Sequence, residues 1–269
     1  MKKEMINKQN ASISVIIPLH EVNEDTANLY KNAIKSIDEQ SIKPTQVLIV
    51  TPKGSDAYKF ASEFDYTTIK DLVKVVENDG KTDFASQMNY GVSQCETEWF
   101  SILEYDDEYS KIWFKNTQIY IDAYPDVDMF MPIIVDVDEF GSFIGFTNEA
   151  VWANSFSEEL GVLDKDALLS YQNFNIDGLV MKKDIYEMYG GFKSNMKLTF
   201  IYEFLLRMTY KSAKVMTIPR FGYKHVNQRI GSLFHDYKLN MNPVEANWWL
   251  NKAKSEFYHE HDRDMSYTD

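Results

Sequence analysis

Four acids fall within the five residues Glu104-Tyr105-Asp106-Asp107-Glu108, directly after the apolar run 99–103. Open α/β sheets bind their ligands at the carboxyl ends of buried strands, so this is a place where a carboxylate cluster can do chemistry. Asp106 and Asp107 offer hard oxygen donors of the kind that hold Mg²⁺ or Mn²⁺ and leave positions for water and phosphate oxygens. The same cluster on an acidic chain also reads as a solvated turn. A second concentration of reactive groups is Tyr223-Lys224-His225-Val226-Asn227-Gln228-Arg229. Here a neutral imidazole nitrogen can join a metal shell and the cations can grip oxyanions, although a lone histidine among cations also describes a plain surface loop. Glu203 and Arg207 stand four apart, the spacing of a helical ion pair, and Asp177 precedes Gly178 as turn residues do.

Elements must hold these groups in place. Residues 13–18 (ISVIIP) are β-branched and almost continuously apolar, the pattern of a strand buried on both faces of a parallel sheet. Leu29, Ala33, Ile34 and Ile37 recur at helical spacing within 26–40, with Asn23, Asp25 and Thr26 available as caps. The alternation continues with a strand at 46–50, a helix at 56–64, a strand at 73–76, a helix at 84–94 capped by Asp83, and the strand at 99–103. Next come a helix at 111–124 stopped by Pro125, a hairpin of 129–135 with 142–147, and a polar, irregular stretch at 151–172. Helices at 184–189 and 200–211, a strand at 214–218 and an amphipathic helix at 244–258 lead to a charged tail expected to fray. The fold class is therefore α/β: a Rossmann-like, mostly parallel central sheet with helices on both faces and an α+β carboxyl-terminal elaboration. No repeat or Pro/Ser-rich linker divides it, so 1–269 reads as a single domain with halves at about 11–110 and 125–235 and a final helix and tail at about 240–269.

Composition narrows the possible functions. The 269 residues carry 28 Lys and Arg against 41 Asp and Glu, a net charge of -13, so the body repels polyphosphate and anionic membranes. A single cysteine, Cys95, excludes an internal disulfide and agrees with a reduced, cytoplasmic compartment. No apolar run reaches the roughly 18 residues of a transmembrane helix, and the amino terminus lacks a signal-peptide pattern.

Taken in order, four segments resemble the family 2 glycosyltransferases of the GT-A fold, from Ile13 to about Leu233. Ser14-Val15-Ile16-Ile17-Pro18 is similar to the family's opening strand, whose end touches the nucleotide. Gln87-Met88-Asn89-Tyr90-Gly91 resembles its Ala-Arg-Asn-x-Gly segment at Asn89 and Gly91. Glu104-Tyr105-Asp106-Asp107 stands where the family has Asp-x-Asp-Asp, and Gly190-Gly191-Phe192 with Glu203 and Arg207 resembles the Gly-Gly-Phe…Glu-Asp…Arg block. The chain departs from the pattern at Thr51-Pro52-Lys53-Gly54-Ser55, where an acid usually reads the base. It departs again at Glu104 in place of Asp, and at 198–202, which lack the Glu-Asp pair.

The resemblance implies a metal-dependent transferase that moves a sugar from a nucleoside-diphosphate donor, foremost a UDP-sugar, to an acceptor hydroxyl with inversion. It implies donor contacts from Pro18, His20, Glu21, Thr51, Lys81, Gln87, Asn89, Glu104, Tyr105 and Asp106, with Lys224 and Arg229 folding over the diphosphate. Asp106, Asp107 and His225 would hold Mn²⁺ or Mg²⁺, which stabilises the leaving group as a Lewis acid. Glu203 is the first candidate for the general base and Asp177 the second. Trp152, in the polar stretch, could stack on an acceptor ring. The acceptor is a glycan or another hydroxyl-bearing molecule, with nucleic acid disfavoured by the charge. Two rivals stand: a non-catalytic carbohydrate- or nucleotide-binding relative, and a nucleotidyltransferase. The latter is weakened because His20-Glu21-Val22-Asn23 is no glycine- and lysine-rich triphosphate loop.

Overall fold

A computed structural model describes residues 10–149, 161–227, 229 and 232–267. Trp152, the expected acceptor platform, lies outside the described residues. The opening alternation is β1 (Ile13–Pro18), α1 (Glu24–Asp38), β2 (Gln46–Thr51), α2 (Asp56–Glu63), β3 (Val73–Glu77), α3 (Phe84–Ser93) and β4 (Trp99–Ile102), with a 3₁₀ turn at Thr67–Leu72. Local chemistry starts each helix. Asn23 and Thr26 form a reciprocal capping box on α1, Ser55 caps α2 and Asp83 caps α3.

The second part contains β5 (Glu108–Tyr109), α4 (Trp113–Ala123), β6 (Met129–Val137), β7 (Phe143–Thr147), β8 (Val162–Leu163) and α5 (Lys165–Ser170). It closes with β9 (Val180–Lys182), α6 (Lys183–Met188), α7 (Phe200–Tyr210), β10 (Val215–Val226), α8 (Leu233–Asn240) and α9 (Pro243–Glu256). The sheet order is β3-β2-β1-β4-β9-β6-β10-β5, with β7 on β6 and β8 on β10. Strands β1 to β4 are mutually parallel, and β6 is parallel to β10. β9 runs antiparallel between β4 and β6 and joins the two halves.

Both faces of the sheet are dry around β1 and β2. Ile16 and Leu48 point into one apolar cluster with α3, α7 and α9, while Val15, Ile17, Val47 and Ile49 point into another with α1, α2 and α4. This two-faced burial is why β1 and β2 read as unbroken apolar runs rather than alternating ones.

Several elements depart from the sequence expectation. The strand expected at 214–218 is twelve residues long and reaches Val226, so His225 sits on a strand opposite Asp136 rather than in a loop. Pro219 hides this continuation. Between the pairs Thr217–Met131 and Phe221–Ile133 the ladder slips, and Pro132 also lacks a donor there, so a bulge absorbs both prolines before pairing resumes. The stretch expected to be irregular holds β8 and α5, and β5, β9 and α8 are too short or too polar to show a period. The tail is not frayed over its described part. Phe257 and Met265 are buried, and Ser194 bonds Asp262. Among the described residues no helix is long and apolar enough to cross a membrane.

Candidate active site

The acid cluster leaves the end of β4 and is pinned within a few residues. Leu103 N–H donates to Ile16 O at 3.1 Å, Glu104 N–H to the Tyr223 hydroxyl at 3.0 Å, and Asp107 N–H to Glu104 O at 3.2 Å. Asp107 is fully buried. Its Oδ1 accepts from Val226 N–H at 2.8 Å and its Oδ2 lies 3.0 Å from His225 Nδ1. Asp177 enters from the turn before β9, where Gly178 has φ +71° and a Cβ would lie 2.6 Å from Tyr223 Cδ2, so only glycine fits. Gly178 O accepts from Trp113 Nε1–H at 2.8 Å, which fixes the turn against α4.

Asp177 Oδ2 accepts from the Asn175 amide and lies 3.5 Å from His225 Nδ1, whereas Oδ1 has no partner among the described residues. Ligand atoms of Asp107, Asp177 and His225 all lie within 4.8 Å of one another. Burial raises the Glu104 carboxyl well above its usual range, and the charges of Asp177, Asp107 and Asp106 add to the effect. Burial likewise pushes Asp177 up to about 7, with His225 opposing. For His225, burial disfavours the charged ring, but the Asp107 charge and hydrogen bond, with Asp177 and Glu104, carry it well above its ordinary value. So many carboxylates around one imidazole, with one carboxylate oxygen unpartnered, suit a bound cation.

Asp106 faces the other way. Its Oδ2 accepts from Arg229 Nε–H at 2.7 Å, Arg229 Nη2–H donates to the Tyr105 hydroxyl at 2.6 Å, and the guanidinium lies 5.4 Å from the Tyr105 ring centroid. The expected metal set of Asp106, Asp107 and His225 is thus redistributed: Asp177 joins Asp107 and His225, and Asp106 pairs with a cation of the chain itself.

A cavity of about 240 Å³ opens above these groups, between the ends of β1, β4 and β10 and the starts of α3 and α7. Pro18, His20, Glu21, Gln87, Glu104, Tyr105, Asp106 and Arg229, all expected at the donor, line it together with His225, expected at the metal. Asp107 and Asp177 are not in its wall. Gln87 is completely buried, and neither side-chain atom has a partner among the described residues.

The other expected residues lie elsewhere, each for a visible reason. Thr51 is buried and donates to Val76 O at 3.3 Å. Lys81 is exposed beside Asp79. Lys224 pairs with Glu108 on the rim of a second, more open cavity. Asn89 is framework: its Nδ2–H donates to Phe192 O at 2.7 Å, and its Oδ1 accepts from Phe192 N–H at 2.9 Å and the Tyr186 hydroxyl at 2.6 Å.

Glu203 requires the largest correction. It is sealed in the core, where its Oε1 accepts from Arg207 Nε–H at 2.8 Å and lies 2.9 Å from Lys193 Nζ, and its Oε2 accepts from Arg207 Nη2–H at 3.0 Å. Arg207 continues to the carbonyls of Tyr189, Gly190 and Gly191. Glu203 therefore meets no acceptor and is a structural ion-pair member, as its spacing from Arg207 allowed. The start of α7 presents Phe200 and Ile201 to the cavity instead. Asn175, Phe84 and Asp236 also line it and carried no sequence signal beyond residue type.

The profile of the family described as "Glycosyl transferase family 2" matches residues 14–172, more than half of the chain. Among solved structures, S. aureus TarS residues 1–349 in complex with UDP is 14% identical, with 91% of this chain and 72% of that one covered at a TM-score of 0.57. The complex of the same TarS fragment with UDP-GlcNAc is 14% identical, with 93% and 72% covered at 0.59. A further TarS structure is 15% identical, with 92% of this chain but 43% of that one covered at 0.57. At such identities the likeness is one of fold. No curated protein sequence matches the chain.

Proposed function

Since the chain belongs to glycosyl transferase family 2, we propose that its cavity binds a nucleoside-diphosphate sugar, a UDP-sugar before others, and passes the sugar to an acceptor hydroxyl with inversion. The observation that carries this is the buried surplus of carboxylates at the end of β4, set beside the guanidinium of Arg229. UDP is favoured because the structurally similar TarS complexes hold UDP and UDP-GlcNAc.

Asp107, Asp177 and His225 would hold Mg²⁺ or Mn²⁺, with Asp106 at the cavity side, and the unpartnered Asp177 Oδ1 supports that fit. Such an ion supplies neutralisation of the negative charge that gathers on a leaving diphosphate. Arg229, now on Asp106, is the cation of the cavity wall able to turn to phosphate oxygens.

With Glu203 in the core and Asp177 behind the wall, Glu104 is the acid we assign to take the acceptor proton, because it lines the cavity at the end of β4 and, unlike Asp106, is not paired with Arg229. In its ionised form Glu104 takes the proton of the acceptor oxygen as that oxygen's bond to the anomeric carbon forms, and the diphosphate departs with the electron pair of the broken bond. The burial and neighbouring carboxylates that raise Glu104 make the ionised form a stronger proton acceptor. Asp177 would then serve the cation site rather than act as the base. The test is calorimetric titration with UDP and several UDP-sugars, with and without Mn²⁺, followed by nucleotide release in the presence of candidate glycans. Absence of UDP binding in the presence of Mn²⁺ would overturn the reading.

A further inference from the structure

We propose that Gln87 selects the donor, its carboxamide taking one hydrogen-bond donor and one acceptor from an uncharged arm of the nucleotide sugar; this rests on the transferase reading. Gln87 stands on the second turn of α3, fully buried, and its side chain helps to line the cavity. Neither Oε1 nor Nε2 finds a partner among the described residues. A buried amide left in that state is destabilising, so folded proteins rarely tolerate one without a use for it.

The helix cannot shift to relieve it. Gly91, one turn on, sits so close to β1 that a Cβ there would lie 2.5 Å from Ile16 Cγ2. Asp83 caps the helix start, and Asn89 is hooked to both backbone polar groups of Phe192.

The cavity wall combines two kinds of surface. Asp106 and Arg229 are charged and, with the His225 imidazole, suit a diphosphate with its cation, whereas Phe84, Phe200 and Ile201 are apolar and share the wall with Gln87. A nucleotide sugar carries an uncharged group on each side of its diphosphate. Both the imide edge of uracil and a vicinal diol of the sugar present an adjacent donor and acceptor, the pair a carboxamide complements. Sites built around such polar pairs discriminate strongly against ligands lacking them, because the site's own groups are then left unpaired.

The decisive variant is Gln87→Met, which preserves length and removes both polar atoms. Wild type and variant are titrated with UDP and with UDP-GlcNAc in the presence of Mn²⁺, and their ligand-free melting temperatures are compared. The expected result is a melting temperature equal to or above wild type, together with a loss of about 10- to 100-fold in UDP-GlcNAc affinity. A loss confined to UDP-GlcNAc identifies the sugar as the arm read, and an equal loss for UDP identifies the nucleoside. Unchanged affinity for both ligands overturns the proposal, as does a lowered melting temperature with affinity intact, which marks a structural residue. If wild type itself binds neither ligand, the donor reading and this proposal fall together. Normal wild-type binding with an equally normal variant sinks this proposal alone.

Discussion

Replacing Glu203 with Gln separates a catalytic from an architectural acid. The wild-type carboxylate serves two cations at once: Arg207 through both oxygens and Lys193 through Oε1, all three side chains being at most 2% exposed. Gln keeps the shape but loses the charge, and its amide nitrogen is a donor facing donors. Removing one partner of a buried ion pair costs about 3–5 kcal/mol because the remaining charge is left uncompensated. Unfolding entropy near 2.1 cal/mol/K per residue makes that a fall of about 5–9 °C in melting temperature for a chain of this size. Arg207 would also loosen its hold on the carbonyls of Tyr189, Gly190 and Gly191. Differential scanning calorimetry gives the first number. UDP titration and turnover well below the transition give the second, and both should stay within about threefold of wild type, since no Glu203 atom reaches the cavity. A melting temperature within about 1 °C of wild type, together with a collapse of turnover, would refute this account and return Glu203 to the chemistry.

Three more expectations follow from the site. Glu104→Gln should lower the chemical step by about 10²- to 10⁴-fold while leaving UDP affinity close to wild type, as single-turnover kinetics would report; unchanged turnover excludes it as the proton acceptor. Glu104, Asp177 and His225 all hold protons more tightly when folded than their ordinary values predict. The stability they contribute is therefore present at low pH and lost as pH rises through their folded pKa values, near 7 for Asp177. Mn²⁺ competes with those protons, so its gain in melting temperature should be larger at about pH 8 than at about pH 5.5, and equal gains would argue against a cation at these groups. Arg229→Ala should weaken UDP binding by about tenfold and flatten its salt dependence, and titrations at two ionic strengths decide it.

The early alternation was legible because its signals are local. β1 spans the residues its apolar run marks, and Asn23, Ser55 and Asp83 announce the helices they cap. The later half hid where short elements depend on tertiary pairing. β9 has three residues and takes its place from β4 and β6 on either side, and β10 passes through Pro219 only because β6 yields at Pro132. Within the site, the acid cluster was visible as composition at a strand end. That Asp177 would stand with Asp107 and His225 was not, because the contact depends on β10 reaching past its prolines. Glu203 was misjudged for a related reason: the spacing to Arg207 was in plain view, but Lys193 and the three carbonyls that close the set come from other segments.

Lys193 has a bearing on how the chain is made. Its amine lies between the Glu203 carboxylate and the carbonyl of Glu256, sixty-three residues later, at 2.7 Å. The stretch just beyond is held as well: Gly190 packs so tightly on Glu260 that a Cβ would meet its carbonyl oxygen at 2.1 Å, and Lys211 pairs with Glu260. The buried cation at the centre of the second half thus finds one of its acceptors on a segment far later in the chain. A nascent chain would leave Lys193 short of an acceptor until residues 256–260 have emerged, so this half closes by slow non-local contacts that leave apolar surface open to chaperones in the meantime.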